Sequence, residues 1–166
     1  MTSRRFTHHA RTLADPATVT DLLDDADSWS TWTRPLLTQT AWERWGSPAP
    51  GGVGAVRRLG LWPIFIREQI TSHERGDHQE YTVLSPHLFR DYLGRVTVFS
   101  PGDTGTLITW QVEFTTRFAA LGAPTHRVLS RVIERLAARL AHAADNAAWT
   151  TQAQSVDSAH PRERPS

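Results

Sequence analysis

Over residues 106–118 apolar and polar side chains alternate almost without interruption. Ile108, Trp110, Val112, Phe114 and Phe118 share one side, and Thr109, Gln111, Glu113, Thr115 and Arg117 share the other. A period of two held over that length predicts a strand with one buried and one wet face. Beyond the Leu121-Gly122-Ala123-Pro124 break the period lengthens to 3.6. Leu129, Val132, Ile133, Leu136, Leu140 and Ala143 then fall on one stripe of a helix running to about Ala148. Such a helix, roughly 25 residues and about 37 Å long, is not stable by propensity alone and must lie on the sheet.

The rest of the chain reads as strands punctuated by turn residues. Residues 6–13 form a first strand. Asp15 caps and Pro16 opens a helix that reaches about Asp25, with Val19, Leu22 and Leu23 on one face. A tryptophan-rich loop follows at residues 28–33. Further strands are predicted at 37–45, 54–62, 64–73, 78–84 and 89–99. Ser47-Pro48-Ala49-Pro50-Gly51-Gly52, Pro63, Glu74-Arg75-Gly76-Asp77 and Ser100-Pro101-Gly102-Asp103 supply breaks between strands. Residues 1–149 are thus expected to form one α+β domain. Residues 150–166 have no periodicity and end in a Pro- and Arg-rich stretch, so a disordered tail is expected there.

With 166 residues the chain can bury a core without covalent staples. It contains no cysteine, which excludes disulfides, thiolate metal ligands and a cysteine nucleophile. All 18 basic residues are arginine, leaving no side-chain amine for Schiff-base chemistry. A net charge of +1 supplies no overall field to concentrate nucleic acid or an anionic membrane. No apolar run approaches the roughly 20 residues that cross a bilayer, and the MTSRRFTHHA start lacks a signal-peptide core. A cytoplasmic protein without nucleic-acid or integral membrane association, monomeric or weakly dimeric, is expected.

Motif chemistry is sparse. His8, His9, His73, His78, His87, His126, His142 and His160 show no metal-ligand spacing on one element, so no metal is expected. No Gly-x-Ser-x-Gly elbow is present. Gly51-Gly52-Val53-Gly54 follows a Pro-rich loop and opens a strand, so it is a turn and not a phosphate cradle. Arg127, Arg131, Arg135 and Arg139 form a row on the helix that is either a solvated face or a surface for an anionic partner.

Several of these segments carry a family resemblance. Pro16, Val19, Leu22, Asp24 or Asp25, Trp29 and Trp32 resemble the opening of the SRPBCC superfamily, the START-like helix-grip proteins. Gly52-Val53-Gly54-Ala55-Val56-Arg57, Glu68-Gln69-Ile70 and Gly105-Thr106-Leu107-Ile108-Thr109-Trp110 point towards its polyketide cyclase/dehydrase-like branch. The resemblance implies an α+β helix-grip fold: about seven antiparallel strands curled around the C-terminal helix, with two short helices after strand 1. It also implies a cavity between sheet and helix.

In that cavity Tyr81, Tyr92, Trp110 and Phe114 from the sheet and Leu129, Ile133 and Leu136 from the helix are the expected wall. Each is equally readable as plain core. Glu68 lies on the same face as Ile66 and Ile70, where a buried carboxyl would have a raised pKa and could move a proton. Its other reading is an outward residue paired with Arg57 or Arg58. By resemblance to hormone-receptor members of the fold, Glu68 and Tyr92 are the leading site residues and His87 a third. The expected function is binding of a hydrophobic small molecule (a lipid, polyketide or isoprenoid) without a cofactor. The alternative is a polyketide cyclase-, aromatase- or dehydratase-like enzyme using Glu68, Tyr92 and His87.

Overall fold

In the computed structural model, which describes residues 2–102 and 104–158, seven strands form one antiparallel sheet in the order β1-β7-β6-β5-β4-β3-β2. They are β1 (Arg4–Thr12), β2 (Gln39–Arg44), β3 (Val56–Leu61), β4 (Ile64–Glu74), β5 (His78–Ser85), β6 (Phe89–Phe99) and β7 (Thr106–Thr116). Between β1 and β2 lie α1 (Pro16–Asp24), one 3-10 turn (Ala26–Ser28) and α2 (Trp29–Thr33); α3 (Gly122–Ser158) follows β7. The Asp15 side chain caps α1 by accepting from the Thr18 amide at 2.8 Å, and Pro16 sits where no amide is needed. From β2 to β7 the chain is a meander. β1 completes the sheet as an edge strand paired along its whole length with β7, from Arg4 opposite Phe114 to Thr12 opposite Thr106.

The alternation in β7 is realised as burial, with Ile108, Trp110, Val112 and Phe114 inside. Phe118 departs from it. The strand ends at Thr116, which takes the last inward position, and Phe118 is exposed where the chain turns away. Helix α3 packs on β1, β7, α1 and α2, burying Ile133, Leu136, Ala137, Leu140, Ala141 and Ala144. Asp145, next to the last buried residue of that face, ties the helix to the end of β1 by accepting from Thr12 Oγ1 at 2.6 Å and from the Leu13 amide at 2.7 Å.

The helix also corrects one boundary. It continues past Ala148 to Ser158, so residues 150–158, expected to be disordered, are helical; 159–166 lie outside the described residues. No Pro or Gly interrupts residues 149–158, so nothing in the backbone stops the hydrogen-bond ladder there. Residues 149–154 are all exposed. Deleting residues 151–166 is therefore expected to move the thermal midpoint by less than about 2 °C. A larger loss in a melting curve would show that this end of the helix is packed.

Candidate functional site

The register of β3 on β4 places Arg57 directly opposite Glu68. Both side chains are inside, 1% and 7% exposed, so Glu68 combines the two readings: it is inward and it is paired with Arg57. Arg57 Nε donates to Glu68 Oε2 at 2.9 Å and Nη1 donates to Gln79 Oε1 at 2.9 Å. The guanidinium lies 4.3 Å from the Trp29 ring centroid and 4.9 Å from that of Tyr81, a cation in contact with two π systems. Burial pushes the Glu68 carboxyl above its ordinary range, and the adjacent Arg57 pulls it part of the way back.

The network continues towards α1. Gln79 Nε2 donates to Asp24 Oδ1 at 3.1 Å, and His73 Nε2 lies 2.9 Å from both Asp24 carboxylate oxygens. A β-bulge between Ile70 and Ser72 brings this about. The extra residue shifts the strand's parity, setting His73 opposite Gln79 on the face that Ile70 occupies. Burial raises the Asp24 carboxyl, and His73 opposes that shift. Gly51, in the loop between β2 and β3, closes over the same carboxylate; a Cβ there would stand 2.7 Å from Oδ1.

Tyr81 forms the other branch. It faces Gly94 across the β5–β6 ladder, and its ring lies where a side chain on Gly94 would be, 2.1 Å from the ideal Cβ position. Trp110 Nε1 donates to the Tyr81 hydroxyl at 2.9 Å, and Tyr81 and Tyr92 share a hydrogen bond. Burial holds both phenols above the usual value near 10, reinforced by nearby Glu68. These are the chain's two tyrosines. An ultraviolet titration is accordingly expected to show no tyrosinate near pH 10 while the fold persists. The unfolded chain loses those protons first, so stability should fall as pH rises above about 10. A full two-tyrosine step near 10 in folded protein would contradict the arrangement.

Beyond the pair Tyr81–Gly94, β5 and β6 part company. Thr82 Oγ1 donates to the Tyr92 carbonyl at 2.8 Å, and past it lies a cleft of about 540 Å³ bordered by Thr82, Val83 and residues 89–93 and 113–115. Tyr92 and Phe114 line it together with Phe89, whose ring is 4.9 Å from Tyr92 and 5.5 Å from Phe114 in edge-to-face contacts.

The residues expected to form one wall are therefore divided. Tyr92 borders the cleft, with the buried Phe114 packed behind it; no described residue of α3 lines it, so this is not the expected space between sheet and helix. Tyr81, Trp110, Ile133 and Leu136 belong to the packed core, with Glu68 beside Tyr81; Leu129 is half-buried on α3. His87 is exposed in the turn between β5 and β6, and it is not brought together with Glu68. Sequence reasoning missed His73 and Gln79, named Asp24 only within the family resemblance, and treated Arg57 only as a partner for an outward Glu68. One signal was available, since Arg57 lies five residues before Trp62 and Glu68 five after Pro63, the two residues of the hairpin turn. Trp29 proves to be a plug: it is buried, donates to the Leu22 carbonyl at 2.9 Å, and covers Arg57. At the β4–β5 turn Glu74, Asp77 and His78 approach one another. Both nitrogens of His78 are engaged there, by Asp77 at 2.6 Å and Ser72 at 2.8 Å, which argues against a metal centre.

A curved antiparallel sheet gripping a long C-terminal helix, with short helices after β1 and a cleft reaching an aromatic cluster, defines a START-like helix-grip protein. The sequence matches the family described as polyketide cyclase / dehydrase and lipid transport over residues 3–145, and the chain belongs to that family. A START superfamily protein from Mycobacterium smegmatis superimposes with a TM-score of 0.70 at 12% identity, covering 86% of this chain and 97% of that one. The di-domain aromatase/cyclase StfQ of the steffimycin biosynthetic pathway gives a TM-score of 0.71 at 17% identity over 88% of this chain and 52% of its own. A norcoclaurine synthase point mutant from Thalictrum flavum, solved with a transition state analogue, gives 0.68 at 10% identity over 86% of this chain and 94% of its own. At these identities the structures establish the shared fold. A search of curated proteins finds no significant match. Among the described residues no helix is long and apolar enough to cross a membrane.

Proposed function

We propose that the protein binds a hydrophobic small molecule of lipid, polyketide or isoprenoid character at the cleft where β5 and β6 separate. The supporting observation is the wall itself: the half-buried Phe89 and Tyr92 offer apolar ring surface backed by the buried Phe114, and the hydroxyl of Tyr92 continues into the Tyr81–Trp110 hydrogen bonds. An apolar ligand with one carbonyl or hydroxyl group suits such a surface, its body desolvated by the rings and its polar atom directed by a neutral phenol. Native mass spectrometry of freshly purified protein, followed by organic extraction, tests this reading. A stoichiometric apolar compound in the wild type, diminished in Phe89→Ala, is expected. No bound compound, together with no saturable uptake of a fluorescent fatty acid, would refute it.

A second reading, a cyclase- or dehydratase-like enzyme, is favoured by one observation. A carboxyl raised by burial and a neutral phenol lie in the same neighbourhood, Glu68 acting on Tyr81 and Tyr92 electrostatically. Under this reading Tyr92 supplies a proton at the substrate carbonyl and Glu68 is a positioning group behind it. Tyr92→Phe should then abolish turnover of a poly-β-keto substrate while retaining its binding. Equal turnover by Tyr92→Phe and wild type would exclude that role.

A further inference from the structure

The net charge of +1 hides a strong separation along the sheet axis. At one end β3 turns into β4, β5 into β6, and β7 into α3; β1 and β2 begin there too, as the antiparallel register requires. Arg4, Arg34, Arg58, Arg90, Arg117 and Arg127 lie at this end, against Asp91; Arg5 and Arg67 are also there, paired with Glu113 and Glu43, each at 2.6 Å. The opposite end carries Asp15, Asp21, Asp25, Asp27, Glu74 and Asp77 against Arg11, Arg44 and Arg75. The basic end also carries exposed apolar tips. Trp62 and Ile64, 74% and 72% exposed, crown the β3–β4 hairpin beside Leu61, while Phe118 projects from the β7–α3 connection. That connection lies against the β5–β6 turn, the Arg117 amide donating to the Leu88 carbonyl at 2.9 Å.

We propose that this end docks on a lipid bilayer containing anionic headgroups. Large apolar side chains on separate loop tips, backed by arginines, match an interface in which the tips enter the acyl boundary and the guanidinium groups remain among phosphates. Arg58 illustrates the layout, its guanidinium 5.0 Å from the ring of Phe65 just behind the tip. The acidic far end faces away from the anionic surface, so the separated charges orient the approaching molecule even though they nearly cancel in sum. The proposal goes beyond ligand binding and stands independently of it. The cleft bordered by residues 89–93 opens near this same end.

Vesicle flotation tests it, using full-length protein with vesicles of phosphatidylcholine alone or of phosphatidylcholine mixed with phosphatidylglycerol. The wild type should float with the mixed vesicles, more weakly with neutral ones, and less at high salt. Trp62→Ser/Ile64→Ser should reduce the bound fraction about tenfold with an unchanged melting temperature, because neither side chain is in the core. Arg90→Gln/Arg127→Gln should remove most of the preference for anionic vesicles. Trp45→Ser, an exposed tryptophan at the other end, should float like the wild type. The proposal is overturned if the wild type stays unbound on both vesicle types, or if Trp62→Ser/Ile64→Ser floats as well as the wild type. Equal loss on Trp45→Ser would also overturn it, as would a dimer in light scattering that Trp62→Ser converts to monomer without any vesicle binding. Extraction of a bound compound from the purified protein reads the cleft separately, so failure of either proposal is recognised by itself.

Discussion

Glu68→Ala is expected to destabilise the protein by about 3–5 kcal/mol, because it strands the Arg57 guanidinium inside the fold without its carboxylate. Arg57 is 1% exposed, and the rings of Trp29 and Tyr81 packed against its guanidinium keep it from water. The pair itself is not a strong source of stability. Desolvation outweighs the attraction of Arg57, which is why the Glu68 carboxyl is raised. The folded state consequently holds this proton at higher pH than the unfolded chain. The contribution of Glu68 to stability falls as pH rises from the ordinary value of 4.5 through the raised one. Arg57→Met/Glu68→Leu, which removes both charges and retains bulk, should accordingly lose much less than the sum of the single variants. Urea denaturation of the two singles and the double measures this coupling. Additive losses would mean that the two side chains do not act as a pair.

Trp110→Ala should cost a comparable amount, about 3–5 kcal/mol for a large aromatic side chain removed from a packed core. Its ring is 1% exposed on the central inward row of β7, and its indole N–H is one of the donors to the Tyr81 hydroxyl. Trp110→Phe separates the two contributions. It keeps most of the ring and deletes the hydrogen bond, so its loss should be nearer to 1 kcal/mol. It should also alter the alkaline titration of Tyr81, since the indole donor pulls that phenol downwards. A melting temperature for Trp110→Ala equal to that of the wild type would show that the β7 register is wrong.

The two predictions bear on function through the same geometry. Arg57, Glu68, Gln79, Asp24 and His73 form a hydrogen-bonded line across β3, β4, β5 and α1, and Tyr81 stacks against its centre. Those interactions hold Tyr81 in place. Tyr81 in turn supports Tyr92, the residue that both belongs to the aromatic cluster and faces the cleft. Under the proposed binding function, disturbing the ion pair should therefore weaken ligand retention even though neither charge borders the cleft.

Much of the architecture could be read from local patterns. The strict alternation in β7, the Asp15-Pro16 helix start and the 3.6-residue stripe from Ile133 to Leu140 each depend on near neighbours in the chain, and each is realised. Local signals also end where packing takes over. Nothing in residues 149–158 distinguishes a free helix from coil, and Phe118 continues the alternation after the strand has stopped. The site was legible only in part. The inward placement of Trp110 and Glu68 follows from strand periodicity, whereas Tyr81 and Tyr92 were reached only through neighbouring strands and the family resemblance. His73 was not found, because a bulge two residues earlier reverses its parity, and a bulge leaves no mark in a hydrophobic pattern. Asp24, on a helix far away in sequence, becomes part of the network only when α1 settles beside β5. Partners of a buried charge are chosen by the three-dimensional register of strands and helices, whereas a residue's own tendency to face inward is set by its immediate neighbours.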